Sequence, residues 1–269
     1  MERNLVPQLP FVLICNDDGI HAPGIHALAK EIAQVARVAI VAPHMERSAN
    51  SHCLTISRPL RIQKLDPKPY SEEIYEVDGT PVDCVKIALD TILDERPDWV
   101  LSGINRGGNL GTDVLYSGTV AAAMEGTING CKAMAFSAHG PGQKDLYYET
   151  SAKVARILLE KRQDLKIQER TMLNVNIPAR PFEQVRGVKS TTCGNRIYDD
   201  HYWRKEDPRG LPYYWIGADS HKFVDIPGSD CNAVAEGFVA ISVLKPELLD
   251  REANTQLGRS IPQLFEGLF

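Results

Sequence analysis

The pattern of apolar and polar positions predicts strands that alternate with helices along most of the chain. An unbroken apolar run at residues 11–15 is typical of a strand buried on both faces of a parallel sheet. Apolar residues then recur at helical spacing over 25–36, and a second short apolar run follows at 38–42. Residues 54–77 indicate an antiparallel excursion. Further strands are predicted at 98–104, 131–137, 172–177 and 238–244. This alternation predicts an α/β fold with a doubly wound, mostly parallel sheet.

Capping signals mark the start of one predicted helix. Thr80 suits the N-cap and Pro81 suits the first helical position. Asp83 lies in the first turn, near the positive end of the helix dipole. These residues need no chemistry to explain them, so we assign the motif a structural role. Two more helices are predicted over 120–130 and 146–162.

The chain changes character in its last third. We predict that residues 1–178 form the core and that 179–269 form a C-terminal extension. The extension would contain a β-hairpin arm, the strand at 238–244 and a terminal helix that begins near residue 246. The arm is rich in aromatic residues, including those at 213–215. Exposed aromatic side chains are a liability on a monomer, so we expect a second subunit to cover them.

Composition excludes several classes of function. With 43% apolar and 24% charged residues, the 269-residue chain resembles ordinary soluble globular proteins. A net charge of −5 gives no basic footprint for a nucleic-acid polymer. No apolar run approaches the roughly 20 residues of a membrane span, and the N-terminus has no secretory apolar region. The six cysteines form no C-x-x-C pair, which argues against zinc and disulfides and for reduced thiols in the cytoplasm.

Three common catalytic or cofactor motifs are missing from the sequence. No G-x-G-x-x-G follows the first strand, so a dinucleotide cofactor is not expected. There is no P-loop motif and no G-x-S-x-G elbow. The residues that remain as candidates for a functional site carry mainly oxygen ligands.

Polar residues follow the predicted strands at what would be one edge of the sheet. Asp17 and Asp18 come directly after the first strand, and adjacent carboxylates repel each other unless a cation neutralises them. A turn or capping role is the alternative for a single aspartate. Ser48 follows the second strand, and Asn105 and Asn109 lie in a glycine-rich loop after a later one. Ligands of open parallel sheets bind beyond these strand ends.

A candidate anion site lies beside these residues. A small-residue helix follows Ser117, Gly118 and Thr119, and free backbone N–H groups and hydroxyls at such a helix start bind anions. An ordinary Ser/Thr cap is the alternative for this motif alone, and the preceding glycine-rich loop favours the anion site. Carboxylate, amide and hydroxyl oxygens suit Mg²⁺, Mn²⁺ or Ca²⁺ better than zinc. A hard cation next to an anion site is an arrangement that catalyses phosphoryl transfer to water.

The same segments resemble a known family. They are FVLICNDDGIHAPGI, VAPHMERSANSHCLT, VDGTPVDCV, PDWVLSGINRGGNLGTDVLYSGTVAAAMEG, DPRG and YYWIG. In this order and over nearly the whole chain, they are similar to the SurE family of stationary-phase survival proteins, which act as 5′/3′-nucleotidases. The resemblance implies a Rossmann-like catalytic core and a C-terminal extension that exchanges between subunits of a dimer or tetramer.

The resemblance also implies an activity and a set of site residues. We expect a phosphomonoesterase that acts on nucleoside 5′- and 3′-monophosphates, with short polyphosphate as a further substrate. One Mg²⁺ or Mn²⁺ ion per subunit would be held by Asp17, Asp18, Ser48 and Asn105. The phosphate would be held by Asn109, Ser117, Gly118 and Thr119. No nucleic-acid polymer or membrane partner is expected. The loop after the second strand has His44 and Met45 where many family members have Asp-Arg, and it has His52 where Asn is common but His also occurs. This loop borders the pocket where substrates are selected.

Two other functions are weighed against this one. A haloacid-dehalogenase-type phosphatase would use the first aspartate as nucleophile, but it needs Asp-x-Asp, and here the run is Asn16-Asp17-Asp18-Gly19. A nucleotide sensor would bind without turnover. The sequence favours direct attack by water, with Asp17 and Asp18 as catalytic residues that serve mainly as metal ligands and either of which accepts a proton.

Overall fold

The computed structural model describes residues 9–140, 146–198, 201–217 and 222–266. The strands of the first half are β1 (Phe11–Cys15), β2 (Arg37–Pro43), β3 (Ile62–Lys64), β4 (Glu73–Val77), β5 (Trp99–Arg106) and β6 (Lys132–His139). Those of the second half are β7 (Met172–Pro178), β8 (Val188–Ser190), β9 (His201–Glu206), β10 (Pro212–Gly217) and β11 (Val239–Leu244). The α-helices are α1 (Pro23–Ile32), α2 (Pro81–Ile87), α3 (Gly118–Ile128), α4 (Tyr148–Glu160), α5 (Asp230–Ala235) and α6 (Arg251–Leu264).

Nine of these strands form one sheet in the order β3-β4-β2-β1-β5-β6-β7-β11-β8. The six strands from β4 to β7 run parallel, which confirms the predicted doubly wound α/β fold. The prediction for residues 54–77 was wrong in part. Within residues 54–77, only β3 forms an antiparallel pair, with β4. Residues 54–56 form no strand, and β4 runs parallel to β2 inside the main sheet. Apolar spacing marks a strand, but it does not fix the strand's partner or direction.

The core has two layers, one on each face of the sheet. Val12 and Ile14 pack into the cluster formed with α1 and α4. Leu13 and Cys15 point the other way, into the cluster formed with α2 and α3. Side chains alternate between the faces of a strand, so β1 is unbroken in its apolar character because both of its faces are buried.

The chain order reverses at β1, which lies between β2 and β5. A crevice opens at such a switch point, beyond the carboxyl ends of the strands. The pairing of β5 with β6 shifts register between Ser102 and Asn105, and the Gly103–Ile104 peptide is cis. Gly103 has a φ of +131°, and a side chain there would meet the backbone oxygen of Phe136. Glycine thus allows the irregularity that precedes Asn105.

The predicted start of α2 is confirmed atom by atom. The backbone N–H of Asp83 donates to the Thr80 hydroxyl at 3.1 Å, and the N–H of Thr80 donates to the Asp83 carboxylate at 2.8 Å. This reciprocal pair is a capping box, which satisfies two helix-start donors. Thr80 and Asp83 therefore have a structural role, as the sequence predicts.

The C-terminal part contributes both to the sheet and to a separate hairpin. β11 pairs antiparallel with β7, which confirms the predicted return of the late strand. Within the part of the chain that the structure describes, β9 and β10 pair only with each other. Their side chains Tyr202, Trp203, Tyr214 and Trp215 are exposed. All six cysteines are free thiols. In the described residues, no helix has the length and apolar character needed to cross a membrane.

Candidate functional site

The carboxylate of Asp17 lies at the N-terminal end of α3. The hydroxyl of Thr119 donates to Oδ1 of Asp17 at 2.5 Å, and the backbone N–H of Thr119 donates to Oδ2 at 3.1 Å. Both residues are buried. At Gly118, an added Cβ would lie 2.8 Å from the Cβ of Asp17, so glycine permits this close approach. The helix start that we predicted for a phosphate thus already stabilises a carboxylate of the protein itself.

Asp18 connects the end of β1 to the end of β5. Its Oδ2 accepts a hydrogen bond from the backbone N–H of Arg106 at 2.9 Å. The Arg106 guanidinium lies 3.3 Å from both carboxylate oxygens of Glu46, in the loop that follows β2. Three loops at the carboxyl edge of the sheet are therefore linked through Asp18 and Arg106.

Both aspartates carry charge that the protein compensates incompletely. Burial raises the pKa of Asp17 to about 6 despite the hydrogen bonds from Thr119, and the charge of Asp18 adds to the rise. Burial also raises the pKa of Asp18, and the charge of Glu46 adds to it, while Arg106 acts in the opposite direction. Buried carboxylates with raised pKa values are suited to a site that receives a cation.

Ser48 and Asn105 supply neutral oxygen atoms near the aspartates. The backbone N–H of Arg47 donates to the Asp17 carbonyl at 2.7 Å, which ties the Ser48 loop to the end of β1. The Ser48 hydroxyl is exposed and donates to Glu46 at 2.7 Å. The side-chain amide of Asn105 donates to the Gly107 carbonyl at 2.9 Å, which leaves its own oxygen available to a ligand.

These donors fit a hard divalent cation. The set combines two carboxylates with an amide oxygen and a hydroxyl, which are ligands that Mg²⁺ and Mn²⁺ accept. Within the described residues, no group of three or more His, Cys, Asp or Glu side chains could hold a metal. A cation site at this edge would thus depend on Ser48 and Asn105 in addition to Asp17 and Asp18.

The predicted phosphate residues are placed as follows. Ser117 is the N-cap of α3, where its hydroxyl accepts a hydrogen bond from the Val120 N–H at 3.0 Å. Thr119 is bonded to Asp17 as described above. Asn109 is buried, and its side-chain amide donates to the Ser137 hydroxyl at 2.8 Å. The phosphate-binding roles of Asn109, Ser117, Gly118 and Thr119 stay predictions.

Three residues of the loop after β2 that bear on substrate choice have different environments. His44 and Met45 are exposed beside the crevice. His52 faces α3, and its Nε2 lies 2.8 Å from the carboxylate of the buried Glu125. His52 therefore anchors the loop, while His44 and Met45 remain accessible.

Several site residues have no assignment from the sequence. Arg106 ends β5 and Glu46 lies in the loop after β2. The strand pattern could therefore place both residues at the edge of the sheet, but it could not predict that they pair. Tyr148 begins α4, and burial raises its pKa to about 12, with the Asp18 charge adding to the rise. Asn174 and Asn176 are fully buried amides. Two amides with a spacing of two in an apolar strand were the signal that could have identified them.

The C-terminal extension also contacts the glycine-rich loop. The carboxylate of Asp230 is fully buried and accepts hydrogen bonds from the N–H groups of Gly111 at 2.8 Å and Gly194 at 2.7 Å. The first residue of α5 thus fixes one end of the loop that follows β5 and carries Asn109. No local pattern in the sequence predicts this contact.

The chain is similar in sequence and in fold to known proteins. The family model described as "Survival protein SurE" matches residues 12–200. Proteins named 5'-nucleotidase SurE are 41% identical in Moorella thermoacetica, over 96% of this chain and 98% of the relative, and 44% identical in Syntrophotalea carbinolica, over 93% and 96%. A crystal structure of the SurE protein from Aquifex aeolicus is 41% identical, with a TM-score of 0.80 over 92% of this chain and 98% of that one. The chain belongs to the SurE family.

Proposed function

We propose that this protein is a divalent-metal-dependent phosphomonoesterase that hydrolyses nucleoside 5′- and 3′-monophosphates to nucleoside and phosphate. Membership of a family whose relatives are named 5'-nucleotidase supports nucleotidase activity. The observation that carries the proposal is the placement of Asp17 and Asp18 at the switch point, between the glycine-rich loop after β5 and the start of α3. Short polyphosphate is a further candidate substrate.

One Mg²⁺ or Mn²⁺ ion per subunit would be held by Asp17, Asp18, Ser48 and Asn105. When bound, such a cation stabilises negative charge on phosphoryl oxygens and makes water more acidic. The phosphate would be held by Asn109, Ser117, Gly118 and Thr119. The N–H group of Gly118, at the first turn of α3, has no acceptor within the described residues, so it is open to a phosphate oxygen.

The protein's own residues perform the remaining steps. The oxygen of a water molecule attacks phosphorus in line with the ester bond, the bond to the nucleoside oxygen breaks, and that oxygen takes up a proton from bulk water. Asp17 or Asp18 accepts the proton of the attacking water. The Arg106 guanidinium lies at the same edge, where it forms an ion pair with Glu46.

The hydrogen bonds of Asp17 argue against an aspartyl-phosphate route. Both of its carboxylate oxygens accept hydrogen bonds from Thr119, which lowers their nucleophilicity. The Asp-x-Asp spacing of haloacid-dehalogenase-type enzymes is also missing. Direct attack by water agrees better with both observations.

We further propose that the protein is a cytoplasmic homo-oligomer, a dimer or tetramer. The exposed aromatic side chains of the β9–β10 hairpin would be covered by a second copy. Six free thiols agree with a reducing compartment.

The test is a phosphate-release screen over 5′- and 3′-nucleoside monophosphates and polyphosphate, with protein stripped by EDTA and reloaded with Mg²⁺, Mn²⁺ or Zn²⁺. We expect activity only after reloading, highest with Mg²⁺ or Mn²⁺. For Asp17→Asn and Asp18→Asn, which each remove one negative charge, the control is Asp90→Asn, a change at an exposed carboxylate far from the crevice. Full activity without metal would refute the metal dependence. Nucleotide binding without phosphate release would indicate a sensor.

A further inference from the structure

A row of polar side chains crosses the sheet where apolar ones are expected. The pairing of β5, β6 and β7 places Asn105 opposite Ser137, and Ser137 opposite Asn176. Asn174 lies two residues earlier on β7 and so shares a face with Asn176. Ser137, Asn174 and Asn176 are all 0% exposed. Burying polar groups is costly unless they form hydrogen bonds, so these side chains need a hydrogen-bond partner inside the core.

That partner is Asn109. Its backbone N–H donates to Oδ1 of Asn176 at 2.8 Å, and its carbonyl accepts from Nδ2 of Asn176 at 3.1 Å. Nδ2 of Asn174 donates to the same carbonyl at 2.9 Å. The Asn176 side chain therefore pairs with both backbone polar groups of Asn109, the N–H and the carbonyl, as the backbone of a neighbouring strand would.

The side chain of Asn109 is fixed as well. Its Nδ2 donates to the Ser137 hydroxyl at 2.8 Å, which sets the rotamer and the orientation of the amide. Glycines surround Asn109 in the chain, and Gly107 and Gly111 have φ values of +112° and +55°. Glycine is the most flexible residue, so a loop of this composition needs external contacts to hold one conformation.

We propose that Ser137, Asn174 and Asn176 are positioning residues that hold Asn109 in its phosphate-binding conformation. This inference rests on the proposed function, because it takes Asn109 to be a phosphate ligand. The three residues do not contact the substrate. They fix the backbone and the amide of Asn109 before the phosphate arrives, so binding does not have to order the loop.

The primary test compares Ser137→Ala with Ser102→Ala in the metal-loaded enzyme. Ser102 is a matched control, since it lies on the neighbouring strand β5, is 0% exposed, and its hydroxyl has no hydrogen-bond partner in the described structure. For Ser137→Ala we expect the Kd of inorganic phosphate, measured by calorimetry, and the KM to rise about three- to tenfold. The kcat should change less. Ser102→Ala should stay within about twofold of the parent.

A second measurement separates positioning from a general loss of stability. Asn176→Leu should remove the hydrogen-exchange protection of the Asn109 N–H while strands β1 and β6 remain protected. In the double variant Ser137→Ala/Asn109→Ala, phosphate binding should be no weaker than in Asn109→Ala alone, because Ser137 acts through Asn109.

The outcomes also distinguish this inference from the proposed function. If the parent protein binds phosphate but hydrolyses no nucleotide, the nucleotidase proposal fails and the positioning of Asn109 survives. If the parent is active and Ser137→Ala binds phosphate as tightly as Ser102→Ala, the positioning role is overturned. A parent that binds no phosphate would overturn it too.

Discussion

Replacing Glu125 by Gln should destabilise the protein at neutral pH and loosen the loop that carries Ser48. Glu125 is on α3, is only 4% exposed, and accepts hydrogen bonds from three side chains. His52 Nε2 lies at 2.8 Å, Lys86 Nζ at 3.1 Å and Asn129 Nδ2 at 2.8 Å. His52 follows Ser48 by four residues, so this cluster is an anchor for the Ser48 loop.

The magnitude follows from the pKa of Glu125. Burial alone would raise it, but the hydrogen bonds from His52, Lys86 and Asn129 outweigh burial and lower the pKa from 4.5 to about 2. At about 1.4 kcal/mol per pKa unit, the ionised carboxylate contributes at most roughly 3–4 kcal/mol to folding. Gln retains part of the hydrogen bonding, so we expect Glu125→Gln to lose about 2 kcal/mol near pH 7.

The pH dependence has a definite sign. The folded pKa lies below the unfolded one, so the contribution is complete above pH 4.5 and is lost as the pH falls toward about 2. Urea unfolding of parent and variant should show the deficit near pH 7 and a smaller deficit near pH 3. Glu160→Gln, which breaks an exposed ion pair with Arg156, is the control and should cost less than about 0.5 kcal/mol. Equal stability of parent and Glu125→Gln near pH 7, or a deficit that is unchanged near pH 3, would refute this account.

Three further predictions concern the site and the assembly. Asp17→Asn and Asp18→Asn should each lower kcat/KM by an amount that corresponds to several kcal/mol of lost transition-state stabilisation. Circular dichroism should show that the fold survives. Radiolabel trapped on either aspartate after rapid quench would contradict attack by water. Ser117→Ala and Thr119→Val should raise the inhibition constant of inorganic phosphate, because each loses roughly 1.5–3 kcal/mol of phosphate-binding free energy. Unchanged inhibition would show that the phosphate site lies elsewhere. Light scattering at micromolar concentration should give a dimer or larger, and a monomer would leave the hairpin aromatics unexplained.

The parts of the fold that depend on local pattern could be predicted from the sequence. The apolar run of β1 is unbroken because both faces are buried, and the Thr80 and Asp83 signals are complete within four residues. The edge of the sheet that carries Asp17 and Asp18 followed from strand direction alone. Each of these inferences needs only neighbours in the chain.

The contacts that order the site join residues far apart in the sequence, and these could not be predicted. Asn176 pairs with Asn109 across 67 positions, and Asp230 binds Gly111 across 119. The direction of β4 was missed for the same reason, since it depends on pairing with β2. Spacing reveals that a buried amide or carboxylate exists in an apolar run, but its partner is set by tertiary packing.

The start of α3 illustrates the limit most directly. The sequence predicts an anion site at the helix start formed by Ser117, Gly118 and Thr119, and the expected anion is phosphate. In the structure, the carboxylate of Asp17 accepts both hydrogen bonds from Thr119. The helix start therefore helps to hold a charged Asp17 against the burial that raises its pKa. If phosphate binds here, it must approach through the open N–H of Gly118 and share Thr119 with Asp17. Loss of the Thr119 hydroxyl should therefore weaken cation binding as well as phosphate binding, whereas loss of the Ser117 hydroxyl should leave cation binding unchanged.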